Sequence, residues 1–170
     1  MTKHYDVTAL GEVLIDFTEN GSSAQGNPMY EANPGGAPCN VLAMLQKFGH
    51  KTAFLGKVGE DIFGRRLEIV LKEAGIDTAG LCMDPTVRTT LAFVEKKADG
   101  DRDFSFYRNP GADMMLRTEE LQEQILKDTR IFHFGTLSMT DEPVRSATRH
   151  AIETCLLYTS PSPRDGATSR

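Results

Sequence analysis

Residues 33–64 read NPGGAPCNVLAMLQKFGHKTAFLGKVGEDIFG, and this stretch decides the fold. Its opening turn holds Gly35 and Gly36, which let the backbone adopt positive φ and leave no side chain between the main chain and a ligand. Apolar residues then recur at helical spacing up to Gly49, which stands where a left-handed residue ends a helix. Residues 52–58 follow as a short buried strand. The pattern predicts a glycine turn that leads through a helix into the interior of a sheet.

A glycine turn at the start of a helix is a place where oxygen atoms of a ligand can bind. The first amide groups of the helix have no partner within it and point outward. Asn40, one turn into the helix, adds a side-chain amide that both donates and accepts, which suits a hydroxyl group. The alternative is a tight turn and a buried helix that bind nothing. Neither the GxGxxG pattern nor the GxxxxGK[ST] pattern of nucleotide sites is met here.

The rest of the chain alternates between strand-like and helix-like segments. We expect strands over residues 5–10, 12–17, 80–83 and 131–135, helices over residues 62–74, 117–127 and 142–154, and a loop over residues 19–29. Asp61 is the expected N-cap of the first of these helices. Residues 89–96 and 103–108 are expected to form a hairpin around an Asp-Gly loop at residues 98–101. The alternation predicts an α/β fold, with a mainly parallel sheet flanked by helices on both faces.

Two charged residues stand in apolar or aromatic segments. Asp16 lies in the run GEVLIDF, so its carboxylate either faces solvent from an edge strand or finds hydrogen-bond donors.

Phe104 and Phe106 alternate with polar residues in the second arm of the hairpin and therefore point to one face, which needs something to cover. Arg108 ends that arm. It either reaches into a substrate pocket or is an exposed surface arginine, and the spacing leaves both open.

The composition excludes several classes of partner. A chain of 170 residues with 39% hydrophobic and 25% charged content is ordinary for one globular domain. The net charge of -5, without a basic run, argues against nucleic acid and anionic membranes as partners. No apolar run approaches the roughly 20 residues of a membrane span, and residues 1–7 lack the apolar core of a signal peptide. Cys39, Cys82 and Cys155 show no metal or redox spacing, so we expect a cytoplasmic protein without a metal site.

Taken together, these motifs resemble the N-terminal part of the PfkB, or ribokinase-like, carbohydrate kinase family. The residues that fit the family pattern are Gly35, Gly36, Ala37, Asn40, Gly49 and Gly59. The flanking segments ALGEVLIDF and GDRDFSFYRNPGADMML occur in the order that the family shows. The resemblance covers residues 5–153, and within the family the bacterial fructokinase group is the most similar. It implies a ribokinase-like fold whose small β lid closes over a sugar.

The resemblance also implies a function and its participants. The implied reaction is ATP-dependent phosphorylation of a sugar, fructose to fructose 6-phosphate, with magnesium; the alternatives are another neutral sugar or a nucleoside, or a non-catalytic sugar-binding fragment. It implies sugar-binding roles for Asp16, Gly35, Gly36, Asn40 and Arg108. The implied lid consists of residues 12–17 and 89–108 and carries Phe104 and Phe106. Because such lids often pair with a second subunit, the resemblance implies a homodimer.

The catalytic motif of the family, DTxGAGD, does not occur in this sequence. The nearest match is Gly111-Ala112-Asp113, which lacks the second Gly-Asp step, so we name no catalytic residue in this chain. Most residues that would bind the nucleotide are also missing. We therefore expect residues 1–154 to be the sugar-binding part of a truncated kinase domain, without kinase activity of its own.

Residues 155–170 form a Ser- and Pro-rich tail in which we find no helix or strand period. A back-translation of residues 155–165 resembles a common transposase-type sequencing adapter. We therefore expect the tail to be non-native and disordered, and the helix before it to end at Thr154.

Overall fold

The computed structural model describes residues 3–96 and 101–159. Within these residues the strands are β1 (Tyr5–Leu10), β2 (Leu14–Ser22), β3 (Pro28–Gly35), β4 (Thr52–Gly59), β5 (Asp77–Asp84), β6 (Leu91–Lys96), β7 (Arg102–Tyr107) and β8 (Thr129–Phe134). The helices are α1 (Ala37–Lys47), α2 (Ile62–Glu73), α3 (Glu123–Lys127) and α4 (Val144–Thr159), with short 3-10 turns between them. The expected hairpin loop at residues 98–101 lies outside the described residues, apart from Asp101.

The first sheet is parallel and has the strand order β5-β4-β1-β8. Helices cover both of its faces, so β4 is buried at every position. Leu42 of α1, Phe54 and Leu67 of α2 share the core on one face. Leu55 and Leu126 of α3 belong to the core on the other face, together with α4. The predicted α/β fold with a parallel sheet between helices is confirmed.

The second sheet, which we call the lid sheet, has the order β3-β2-β6-β7. β2 runs parallel to β6, and β6 and β7 form the predicted antiparallel hairpin. β2 and the hairpin lie within residues 12–22 and 89–108, so most of this sheet comes from the segments that the resemblance assigns to a lid, and their role as a lid stays a prediction. The expected loop at residues 19–29 is wrong, because β2 continues to Ser22 and β3 begins at Pro28. β3 is exposed along most of its length, and its sequence lacks the alternation of apolar and polar residues that marks a strand. It is a strand because it pairs with β2.

Two further expectations are corrected by the structure. The helix expected at residues 117–127 is a 3-10 turn, Thr118–Glu120, followed by the short α3. The bend has a physical cause, because Glu120 accepts from the Arg117 N–H and also binds the buried Lys57 ammonium group. The strand at residues 131–135, which its apolar residues predicted to be interior, is β8 (Thr129–Phe134), and it forms an edge of the sheet within the described residues.

Helix α4 runs to Thr159 and does not end at Thr154 as expected. Ala147, Ala151 and Cys155 follow one another at four-residue spacing and are all buried in the same core. The Cys155 thiol also donates to the Leu126 carbonyl at 3.7 Å. The helical period therefore continues to Thr159, and the expectation that residues 155–170 lack such a period is wrong for the first five of them. Residues 160–170 lie outside the described residues, and the non-native origin of the tail stays a prediction.

Candidate functional site

The parallel sheet places a switch in chain direction between β1 and β8. The chain leaves β1 toward β4 and β5 on one side, and later returns to β8 on the other side of β1. Glu12 follows the carboxyl end of β1, and Gly135 follows the carboxyl end of β8. In open α/β sheets, ligands bind outside the carboxyl ends of the strands at such a point. The turn before α1 lies beside Glu12 and therefore belongs to this edge.

The packing around the turn leaves little room for a side chain at either of its two glycines. Gly36 is the N-cap of α1, with φ 116° and ψ 121°, a backbone conformation that residues other than glycine rarely adopt. A Cβ atom at Gly36 would clash with the Glu12 carbonyl oxygen, and one at Gly35 would clash with Asp16 Oδ2. Glu12 and Asp16 therefore approach the turn closely, and the close approach of a ligand at the same turn stays a prediction.

Asp16 stands on β2 opposite Asn33 and Ala92, with Gly35 against its carboxylate. The side chain is half-buried, and burial raises its pKa above the usual aspartate range. Within residues 3–96 and 101–159, no group donates a hydrogen bond to this carboxylate. Both oxygens of Asp16 are therefore open acceptors beside the glycine turn, an arrangement that suits neighbouring hydroxyl groups.

Asn40 lies one turn into α1, where its backbone N–H donates to the Gly36 carbonyl at 3.1 Å. Its side chain is exposed. Asn40 and Gly35 line a cavity of about 110 Å³ between α1 and α2, whose other walls are mostly aliphatic. Asn40 therefore adds a polar group on the same segment as the turn, at the rim of an apolar cavity.

Arg108 is held at the base of the lid sheet. Its Nη2 and Nε atoms lie 2.6 Å and 2.8 Å from Asp113 Oδ2, and the Thr90 hydroxyl donates to Asp113 Oδ1 at 2.5 Å. Thr90 precedes β6 and Arg108 follows β7, so Asp113 fastens both ends of the hairpin to the body of the protein. The Arg108 side chain is 11% exposed, which rules out the alternative of an exposed surface arginine.

The strand register places an aromatic group on the same face of the lid sheet as Asp16. Asp16 pairs with Ala92, and Ala92 pairs with Phe106, so the three residues form one row across the sheet. Phe104 stacks against Phe106 with ring centroids 6.0 Å apart. The two rings were predicted to share a face, and they do.

Sequence reasoning missed Glu12, which is buried beside the glycine turn. Its Oε1 atom accepts from the Ala37 N–H at 3.1 Å, and its Oε2 atom is buried without a partner among the described residues. Burial raises the pKa of Glu12, as does the nearby Asp113 charge, while Arg108 acts in the opposite direction. The sequence did contain a signal for Glu12, because this carboxylate follows Gly11 at the end of a predicted strand. Ligand sites of parallel sheets form at the carboxyl ends of the strands.

A parallel sheet between helices, together with a small second sheet, defines a ribokinase-like α/β protein. The family model described as pfkB family carbohydrate kinase matches residues 5–157, and the chain belongs to this family.

Curated and solved relatives agree with this assignment. A probable fructokinase-5 from Arabidopsis thaliana is 46% identical over 151 residues, which are 87% of this chain and 46% of that protein. Fructokinase-1 from Zea mays is 45% identical over 149 residues, which are 86% of this chain and 46% of that protein. The crystal structure of fructokinase from Xylella fastidiosa has a TM-score of 0.84 at 33% identity and covers 94% of this chain and 51% of its own. The chain thus spans about half the length of the relatives it matches.

The described residues contain neither a metal-binding cluster nor a membrane-spanning helix. Among them, no three His, Cys, Asp or Glu side chains are grouped so that they could hold a metal ion. No helix in this part of the chain is long and apolar enough to cross a membrane.

Proposed function

We propose that this chain is the sugar-binding part of an ATP-dependent carbohydrate kinase that phosphorylates fructose to fructose 6-phosphate. The observation that carries the proposal is the open carboxylate of Asp16, held against the Gly35–Gly36 turn on the aromatic face of the lid sheet. The names of the relatives, which are fructokinases, support fructose as the substrate. A neutral polyol matches these groups because Asp16 and Asn40 offer hydrogen bonds without requiring a charged ligand.

Each proposed site residue has a physical task. Asp16 accepts from two sugar hydroxyls, Asn40 donates and accepts at a third, and the glycine turn lets the sugar approach the backbone. Arg108 gives two of its five N–H donors to Asp113, which leaves others for the substrate. The lid sheet, with its aromatic rings, covers the sugar and excludes water, so that phosphoryl transfer is favoured over hydrolysis.

ATP and magnesium supply the transferred phosphoryl group and the charge that neutralises it, as in the kinase class generally. The crystal structure of fructokinase with bound ATP from Xylella fastidiosa supports the choice of nucleotide. We assign neither a metal ligand nor a catalytic base to this chain, because its sequence has no DTxGAGD motif. We therefore expect the 170-residue chain to bind sugar without turning over ATP. A cytoplasmic location and a homodimer formed through the lid sheet belong to the same proposal.

The experiment is a sugar titration of the ¹⁵N-labelled 170-residue chain, followed by NMR, with a coupled ADP-release assay on the same sample. We expect fructose to shift the amide signals of Gly35, Gly36 and Asn40, and ADP release to stay at background. A stronger response to ribose or adenosine would replace fructose as the substrate. The absence of any response to neutral sugars or nucleosides would overturn the proposed function, and ADP release above background would overturn the expected inactivity.

A further inference from the structure

We propose that Glu12 is a positioning residue of the sugar site: its carboxyl group fixes the amino end of α1, and with it the Gly35–Gly36 turn, in the geometry that binds the sugar. The inference rests on the proposed function, because it assigns a role within that site.

The first argument is that Glu12 touches the turn segment at three places. Its Oε1 atom accepts from the Ala37 N–H at 3.1 Å. Its backbone carbonyl lies where a side chain on Gly36 would stand, and the same carbonyl lies 4.0 Å from the Cys39 thiol. Backbone and side chain of one residue therefore contact the turn at Gly36 and the first turn of α1 at Ala37 and Cys39.

The second argument is that α1 has no cap of its own. Gly36, the N-cap residue, has no side chain to satisfy the free amides, and the first turn of the helix carries no acidic residue. By contrast, α2 is capped locally, because Asp61 accepts from the Phe63 and Gly64 N–H groups. A carboxyl group beside the amino end of α1 also favours the helix dipole. Glu12 thus replaces, from a different segment, a cap that Gly36 cannot provide.

The third argument is that Glu12 is confined to one orientation. The residue is 5% exposed, and its Oε2 atom is buried without a partner among the described residues. A Cβ atom on Gly135 would lie 2.8 Å from Oε2, so the absence of a side chain there makes the space that the carboxyl group occupies. Because Oε2 is closed off from solvent, a sugar hydroxyl does not reach it directly. Glu12 therefore acts on the sugar through the Ala37 amide and the turn.

The test compares Glu12→Ala and Glu12→Gln with the parent 170-residue chain. Each is titrated with fructose by NMR, and the hydrogen exchange of the Ala37 amide is measured without sugar. Glu12→Gln keeps a carbonyl oxygen for the Ala37 N–H, whereas Glu12→Ala removes it. Since a turn that populates its binding geometry only part of the time binds more weakly, we expect Glu12→Ala to weaken fructose binding by about tenfold. We also expect it to speed Ala37 exchange, while Glu12→Gln stays within about threefold of the parent.

Asp61→Ala is the matched control, since it removes the carboxyl cap of α2. We expect it to lower the thermal midpoint without the tenfold loss of fructose affinity. The proposal is overturned if Glu12→Ala binds fructose as the parent does, if Glu12→Gln binds as weakly as Glu12→Ala, or if Asp61→Ala weakens binding equally. If the parent chain binds no sugar, the proposed function fails, and a positioning role for Glu12 fails with it. The two failures are distinguishable: a parent chain that binds fructose upholds the proposed function even when the Glu12 variants contradict the positioning role.

Discussion

At the scale of single residues, Asp16 and Gly35 are linked, because the Asp16 carboxylate occupies the space that a side chain at Gly35 would need. Half-burial and a raised pKa both indicate that this carboxylate has lost water without gaining a protein donor. A ligand hydroxyl that donates to Asp16 would replace the hydrogen bonds from water that burial has removed. This is the physical reason to expect a measurable effect from changing one oxygen of Asp16.

We expect Asp16→Asn to weaken fructose binding by a factor of about ten to a hundred. An amide offers one acceptor and turns a donor toward the second hydroxyl, and a hydrogen bond to a charged group is worth about 1.5–3 kcal/mol. The measurement is the fructose titration by NMR. Glu19→Gln, three residues further along β2, is the control and should bind as the parent does. Unchanged affinity in Asp16→Asn would remove Asp16 from the site.

Gly36 and Gly49 allow a second comparison at this scale. Both have positive φ, 116° and 84°, but a side chain at Gly36 meets the Glu12 backbone whereas nothing lies within 4 Å of one at Gly49. Gly49→Ala should cost about 1 kcal/mol of unfolding free energy from the backbone conformation alone. Gly36→Ala should cost at least about 1 kcal/mol more, because a clash is added. Urea unfolding measures both, and equal losses would contradict the packing described for the turn.

The site shows where the sequence was informative and where it was not. Asp16, Gly35 and Gly36 could be named because a family pattern covers them, although their contact joins residues 19 positions apart and no local rule predicts it. Glu12 was missed because its partner, the Ala37 amide, is 25 residues away. Pairings between distant residues depend on strand order, which local periodicity does not specify.

At the scale of elements, Lys57 of β4 and Asp84 of β5 form a buried ion pair at the ends of their strands. Lys57 Nζ lies 3.1 Å from Asp84 Oδ2 and 2.7 Å from Glu120 Oε1. Burial alone would raise the pKa of Asp84, but hydrogen bonds from Val87, Thr86 and Lys57 lower it well below the usual range. A lowered pKa means that Asp84 contributes stability above the ordinary aspartate value of 3.8, and that this contribution is lost as the pH falls through the folded value.

We therefore expect Asp84→Asn to lower the unfolding free energy by about 3 kcal/mol at pH 7, because it leaves a buried ammonium group with one partner fewer. The difference from the parent should shrink as the pH falls below 3.8, where the parent loses the same contribution. Urea unfolding at several pH values measures this. Glu68→Gln, in an exposed pair with Lys72, is the control and should cost no more than about 0.5 kcal/mol. A pH-independent difference would contradict the lowered pKa.

Elements with local signals were predicted, and those stabilised by distant partners were not. β4 is a mostly apolar segment that is buried throughout, and α2 begins where Asp61 caps it, so both follow from nearby residues. β3 is exposed and polar, and its strand conformation comes from pairing with β2. The segment before α3 is bent by Glu120, whose partner Lys57 is 63 residues away. In both cases a tertiary contact overrides the local pattern.

The end of α4 gives a prediction of its own. Cys155 is buried against Leu126, so a chain that ends at Thr154 should lose part of the core around α3. We expect that truncation to lower the thermal midpoint by about 2–6 °C, from roughly 1–2 kcal/mol of lost burial. A chain that ends at Thr159 keeps the buried face and should melt as the parent does. Equal midpoints for the two truncated chains would restore the boundary at Thr154 that the sequence suggested.

At the scale of the whole molecule, the lid sheet stands out because it has apolar groups on both faces and is connected to the body at its base. Phe104 and Phe106 are half-exposed on the face that carries Asp16. Tyr107 is exposed on the opposite face, where it meets the ring of Phe93 at 5.3 Å. Among the described residues, β3 and β7 are the edge strands of this sheet, and an edge strand is a surface on which a second chain can pair. Such a sheet buries its apolar surface most readily against a copy of itself.

The last prediction follows from these exposed faces: the chain should be a homodimer in solution, with a mass of about twice 18.8 kDa by light scattering. The double variant Phe104→Glu and Tyr107→Glu places a charge on each face of the lid sheet, so it should be a monomer whichever face pairs. Phe48→Glu is the control, because Phe48 is about as exposed as Tyr107, at 71% against 68%, but lies at the end of α1. A parent chain that is monomeric at all concentrations would exclude the dimer. Dissociation caused by Phe48→Glu and not by the lid variant would place the interface on α1.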